Sequence, residues 1–373
     1  MNNTISSFYC HLAHRLLITV FISICFNVKA KADMDEQRVM EMLQDPVTVQ
    51  EMRTFSKLFT DSLTTYGDIN LVEQQVDELV NSYINGEENK SQYRSKLQKF
   101  SKQIDLIYED YVKNFPIFPK KSESKFSELR GYHIEVLNFM NELNLIYDKV
   151  YLIEKDLIKA AIDEDYVLYD NYLSELYIEG ANLTKKTIKV QKSALNLSPS
   201  YSIANKVTTI ELILTEILSE FNKLTGLILK TNSVNIEESI EIVRDNVNLF
   251  NSDIDNASRD FYAFVQSFFT IVDDPVFNKF FNSDFKNEIE LLKSLSIEYA
   301  EGNISLGNSY VELINLYYKY RFNLDDLPIE DINRINVNIS IAQESLNETL
   351  PLLRYQFELI QNTVISVMNE NNN

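Results

Sequence analysis

The fold is decided by residues 236–271, IEESIEIVRDNVNLFNSDIDNASRDFYAFVQSFFTI. Apolar residues follow one another along this stretch at alternating spacings of four and three positions, without a break. With 45% apolar residues in the chain, such a run in one fixed register has a chance probability on the order of 10⁻⁴. It is the heptad repeat of a helix that packs lengthwise against other helices. The repeat consists of Ile236, Ile240, Val243, Val247, Phe250, Ile254, Ala257, Phe261, Phe264, Phe268 and Ile271.

The same spacing recurs in other parts of the chain, over residues 93–112, 132–160, 169–197, 203–228 and 285–317. The chain has only seven glycines and seven prolines, too few for the many turns of a sandwich, a barrel or a doubly wound sheet. Short breaks between long helices make sequential helices antiparallel neighbours. We therefore predict an all-α fold, an elongated antiparallel bundle of long helices with coiled-coil-like heptad seams.

The first 32 residues have the pattern of a secretory signal peptide. A polar start that ends in a basic residue is followed by the apolar run Leu16–Phe26, and Ala30-Lys31-Ala32 supplies a cleavage site. The apolar run is shorter than the roughly 20 residues of a membrane-spanning helix. We expect cleavage after Ala32, a secreted or periplasmic mature protein and no stable membrane anchor.

The mature chain is expected to contain three parts. These are an N-terminal helical segment over residues 33–122, a long-helix bundle over 123–368 and a disordered, Asn-rich tail over 369–373. Within them, Asp45-Pro46 predicts a helix start and Asp163-Glu164-Asp165 a turn between helices. Residues 335–341 alternate as a strand would, yet they continue a helical stripe, which favours helix. Pro351 is expected to kink or break the last helix.

Composition and charge exclude several function classes. Without residues 1–32 the chain would carry 32 basic and 55 acidic residues, a net charge of −23, which argues against nucleic-acid binding. Both cysteines, Cys10 and Cys25, lie in the predicted signal peptide. Thiol chemistry and cysteine-ligated metals therefore need residues that the mature chain lacks. We predict no catalytic, cofactor-binding or metal-binding residues, and a protein that is not an enzyme.

Three polar residues lie next to or within the heptad seams. His133 is the single histidine after residue 32. We expect it at a seam edge, partly buried and bonded to an acid or to water, rather than as a general base. Ser296 and Asn303 interrupt the apolar repeat of residues 285–317. Either they are buried and fix helix register, or the helix loosens or turns there.

These observations favour a non-enzymatic helical protein that acts outside the cytoplasm through protein–protein interaction. The expected partner is another protein or a second copy of the chain, through the helical seams. The alternative is a secreted α-helical pore-forming toxin component, since such proteins also combine signal peptides with long helices and no disulfides. Its strongest candidate for insertion is Phe261–Val272, which is too short to span a bilayer alone.

Overall fold

The computed structural model describes residue 38 and residues 41–115, 117–197, 203–230, 235–272 and 283–370. Within these ranges the regular structure is helical and no strand occurs, which confirms the predicted all-α class. The signal peptide predicted for residues 1–32 lies outside the described residues. The helices are α1 (Pro46–Ile84), α2 (Lys90–Asn114), α3 (Ser127–Asp163), α4 (Tyr166–Leu195), α5 (Ile203–Leu229), α6 (Ile236–Val272), α7 (Ser283–Lys319), a 3₁₀ turn (Leu324–Asp326) and α8 (Ile329–Glu370).

The chain divides into two compact units, one up to Ser239 and the other from Ile240 onward. In the first unit α3 packs against α1, α2 and α4, and α4 also packs against α5. α1 and α2 share their core with α3, which follows them, and the predicted boundary near residue 122 stays a prediction. The second unit contains α6 from Ile240, α7 and α8.

The helix boundaries follow local chemistry that the sequence predicts. Asp45 caps α1 by accepting a hydrogen bond from the backbone N–H of Thr48, and Pro46 occupies the first turn. The predicted turn between α3 and α4 is confirmed: Glu164 adopts a left-handed conformation with φ of 60°, and Asp165 caps α4 through the N–H of Leu168. This short turn makes α3 and α4 antiparallel neighbours.

The second unit is held together by side chains at antiparallel positions. The ring of Phe261 in α6 lies 5.6 Å from that of Tyr299 in α7. The amide of Gln343 in α8 donates to the hydroxyl of Tyr310 in α7 at 3.2 Å. Further along, Thr349 of α8 donates to Glu298 at 3.0 Å. A later residue of α8 thus contacts an earlier residue of α7, so the two helices are antiparallel, as expected.

The buried face of α6 departs from the strict heptad repeat. Ile240, Val243, Val247, Ile254 and Phe261 are buried as predicted. Ala257 and Phe264 are only half-buried, whereas their neighbours Ser258 and Val265 are fully buried. A straight α-helix has 3.6 residues per turn, so its inner face drifts by about 20° per heptad relative to a 3.5-residue repeat. Because of this drift, the residue one position after the predicted one is buried at two places in the second half of α6.

The contact between α4 and α5 is unusually close and is made by small residues. Ser174 of α4 donates its hydroxyl to the carbonyl of Gly226 at 2.6 Å, and Ser219 of α5 donates to the carbonyl of Ala181 at 3.0 Å. A Cβ atom added to Gly226 would lie 2.8 Å from the carbonyl oxygen of Ser174. The absence of a side chain at residue 226 is therefore what permits this approach.

The last helix is not broken at Pro351, one of the two outcomes that were predicted there. α8 is assigned as one helix from Ile329 to Glu370, with Pro351 inside it and exposed, so the chain does not break at that residue. A proline ring on the solvent side avoids a clash with a neighbouring helix, although its N–H is missing from the helix. Residues 335–341 are helical, as favoured. Asn369 and Glu370 of the predicted tail also belong to α8, and residues 371–373 lie outside the described residues.

Candidate functional site

His133 lies in the interior of the first unit, and its side chain is only 3% exposed. Its Nε2 atom lies 2.7 Å from the carbonyl oxygen of Pro119, and since a carbonyl can only accept, Nε2 carries the proton. The imidazole packs against the rings of Phe55 and Phe118, with centroid distances of 4.9 and 5.3 Å. For Nε2 the predicted acid or water partner was wrong, because this atom bonds to a backbone carbonyl. Instead, the histidine joins α3 to the segment before it as a structural residue.

Ser296 and Asn303 are both completely buried in α7, which runs unbroken from Ser283 to Lys319. The alternative in which the helix turns here was therefore wrong. Each residue bonds to its own helix: Ser296 donates to the carbonyl of Leu292 at 2.6 Å, and Asn303 donates to that of Tyr299 at 2.7 Å. The Oδ1 atom of Asn303 is buried without a hydrogen-bond partner. Within the described part of the chain, neither side chain bonds to another helix.

Glu154 is a fully buried acid whose position was not predicted from the sequence. It lies in the middle of α3 with 0% of its surface exposed, and both carboxyl oxygens are buried without a hydrogen-bond partner. Burial in this apolar interior raises its pKa well above the ordinary value, and the negative charge of Glu73 raises it further. An ionised carboxylate without a partner is costly in such a place, so the neutral acid is favoured.

Glu73 of α1 belongs to the same cluster. Its side chain is partly accessible. Burial raises the pKa of Glu73 to about 7, with a further contribution from the charge of Asp77. Tyr169 of α4 donates to Asp77 at 3.3 Å, and burial together with the three acids raises the pKa of its hydroxyl. We call Glu73, Asp77, Glu154 and Tyr169 the carboxyl cluster; three helices bring its members together.

The carboxyl cluster consists of groups that can hold protons. No group of three or more His, Cys, Asp or Glu side chains in the described part of the chain is arranged to hold a metal ion. Glu154 falls beside Ile153 and between Val150 and Leu157, all members of a predicted seam. A polar residue does not belong to an apolar repeat, although the spacing of Glu154 from these seam residues places it on the buried side of the helix.

A different feature stands out on the surface of the second unit. Four large apolar residues lie along one side of α8 and are more than half exposed: Val337 (56%), Ile341 (60%), Leu352 (55%) and Tyr355 (64%). Between the two pairs lie Glu344 and Glu348, which are also exposed. Successive members are three or four residues apart, which aligns them on one helix face. We call these six residues the α8 outer face.

The comparisons with known proteins supply no relative. No family model, curated protein or solved structure was found to match this chain. Among the helices that the structure describes, none combines the length and the apolar character needed to cross a membrane. Functional inference therefore depends on the chemistry of the α8 outer face and of the carboxyl cluster.

Proposed function

We propose that this is a non-enzymatic, secreted or periplasmic helical protein that acts by binding another protein through the α8 outer face. The exposed apolar residues of α8 carry the proposal. They form a row on one helix, whereas isolated exposed apolar residues are common on any surface. The pattern of residues 1–32 supports export, because it combines a short apolar run with a cleavage site.

The dimensions of the α8 outer face fit a helical partner. At 1.5 Å per residue, the 18 steps from Val337 to Tyr355 span about 27 Å, or five helical turns. An amphipathic helix laid along such a face would place its own apolar residues, spaced three and four apart, against the two apolar pairs. Binding would then bury side chains that are at present more than half exposed.

The centre of the α8 outer face determines the charge of that partner. Glu344 and Glu348 form no ion pair with any basic side chain in the described part of the chain. A partner with lysine or arginine at the middle of its helix would neutralise both acids. A second copy of this chain, paired antiparallel about the same centre, would instead bring four glutamates together. The proposed partner is therefore an amphipathic helix with a basic centre and apolar ends.

Fluorescence anisotropy with a labelled synthetic helix tests this proposal. The peptide carries leucines at both ends of one face and two lysines at its centre. We expect it to bind the full chain with a dissociation constant at or below about 100 μM. Leu352→Ser removes one contacting side chain that is about half exposed beforehand, so the affinity should fall about tenfold.

Leu145→Ser is the matched control, because Leu145 is 72% exposed on α3 in the other unit. It should leave the affinity of the peptide unchanged. The proposal fails if the basic peptide does not bind. It also fails if Leu145→Ser and Leu352→Ser weaken binding equally, since the peptide would then be adhering to exposed leucines in general.

A further inference from the structure

The carboxyl cluster has a physical consequence that is independent of the α8 outer face. Glu154 is fully enclosed by the first unit and neither of its oxygens has a hydrogen-bond partner there. The nearest lysine in sequence, Lys155, is occupied elsewhere: its Nζ atom bonds to Asp105 of α2 at 2.8 Å. Nothing cationic in the described residues compensates a negative charge on Glu154.

The groups that interact with the Glu73–Glu154 pair from the surrounding helices are acidic or neutral. On α1, Asp77 acts on Glu73. From α4, Tyr169 donates to Asp77 and interacts with both glutamates, and Tyr177 interacts with Glu73 and Asp77. No ionisable group of α2 contributes to the raised pKa of either glutamate, and Asp105 of α2 is paired with Lys155. Ionising both glutamates would thus place two like charges between α1 and α3 without a counterion.

We propose that Glu73 and Glu154 form a proton-operated lock between α1 and α3, which is closed when the pair is protonated and loosens as the pair ionises. The partial exposure of Glu73 gives solvent protons access to the pair, whereas Glu154 supplies the buried site. The ligand of this site is a proton, and the device responds to pH near neutrality. It acts on the first unit and does not depend on the proposed partner-binding function.

The direction of the response follows from linkage. The pKa of Glu73 rises from 4.5 in the unfolded chain to about 7 in the fold, and that of Glu154 also rises. The folded chain therefore holds more protons than the unfolded chain above about pH 4.5. The stabilising effect of these protons is complete below the unfolded pKa and is lost as pH rises through about 7. Acidic pH closes the lock, and mildly alkaline pH opens it.

Urea unfolding from about pH 5.5 to about pH 8.5 tests the lock. For Glu73 alone, the linkage relation predicts that the unfolding equilibrium constant rises more than tenfold across this range. Many surface carboxylates also contribute to the pH dependence, so the quantity to compare is the difference between the unmodified chain and Glu73→Gln/Glu154→Gln. We expect the double variant to lose this tenfold component. Glu78→Gln, at an exposed position of α1, should retain it.

Infrared spectroscopy of the folded chain supplies a second measurement that does not require unfolding. A protonated buried carboxyl should give its own C=O band at about pH 6, and that band should fade towards about pH 8.5. Glu154→Gln should reduce it, and Glu73→Gln serves the same purpose if Glu154→Gln does not fold. The absence of such a band in the unmodified chain at about pH 6 would overturn the proposal. An unchanged pH profile in the double variant would do the same.

Discussion

Replacing Gly226 by alanine tests the close approach of α4 and α5 in a quantitative way. The new Cβ would lie 2.8 Å from the carbonyl oxygen of Ser174, 3.0 Å from Cγ1 of Ile178 and 3.1 Å from Cβ of Tyr177. Ordinary contact begins near 3.4 Å, so the two helices must separate by roughly half an ångström. The separation would also stretch the 2.6 Å bond from the Ser174 hydroxyl to the carbonyl of Gly226.

The size of the effect follows from two opposing contributions. Overpacking a well-filled contact costs about 1–3 kcal/mol. Alanine is preferred over glycine within a helix by about 1 kcal/mol, which offsets part of that cost. Gly180→Ala in α4 isolates the second contribution, because no atom lies within 4 Å of its added Cβ. We therefore expect Gly180→Ala to stabilise the chain, and Gly226→Ala to be about 1–3 kcal/mol less stable than Gly180→Ala.

Urea denaturation followed by far-ultraviolet circular dichroism measures this difference, since the free energy of unfolding falls linearly with denaturant. Both variants should keep the helical spectrum of the unmodified chain. The Gly226→Ala midpoint should lie clearly below that of Gly180→Ala. If the two substitutions stabilise the chain equally, α4 and α5 do not approach as closely as described, and the reasoning is refuted.

Three further outcomes can be checked. Phe261→Ala should lower the free energy of unfolding by about 3–5 kcal/mol, whereas Tyr262→Ala, at the partly exposed neighbouring position, should lower it by less than about 1 kcal/mol. Equal urea midpoints for the two variants would show that the buried face of α6 has been identified wrongly. Asn303→Leu should leave the melting temperature unchanged or raise it, because it removes a buried amide oxygen that has no partner; a large fall would reveal a polar role. The purified chain should not release dye from anionic liposomes, because its net charge of −20 is repelled by the anionic surface. Insertion of residues 261–272 would also remove Phe261 from its contact with Tyr299. Rapid dye release would favour the pore-forming alternative.

The helical class and many buried positions could be predicted from the sequence because apolar side chains repeat at helical spacing. The buried face of α6 includes the seam residues Ile254 and Phe261, but Ser258 and Val265 are buried in place of Ala257 and Phe264. That shift depends on whether the helix stays straight or supercoils, and a list of apolar positions does not contain this information. Helix ends were predictable where a side chain caps them, as Asp45 and Asp165 do.

The buried polar residues could not be predicted in the same way. Ser174 and Ser219 are interior because each hydroxyl reaches a carbonyl on the neighbouring helix, a property of the pairing of α4 with α5. Glu154 is interior because α1 and α4 cover α3. This burial raises its pKa, and the charge of Glu73, which is distant in sequence, raises it further. The α8 outer face was also missed, since exposure is decided by which helix faces remain uncovered after packing.

Reversing the charge at the centre of the α8 outer face tests the proposed function most directly. Isothermal titration calorimetry would compare Glu344→Lys/Glu348→Lys with the unmodified chain, using the basic-centred peptide and a matched peptide with two glutamates at its centre. Both substituted residues are exposed, so the fold should be retained. We expect the unmodified chain to prefer the basic peptide at least tenfold, and the variant to prefer the acidic one. An unchanged preference for the basic peptide in the variant would contradict binding through this face.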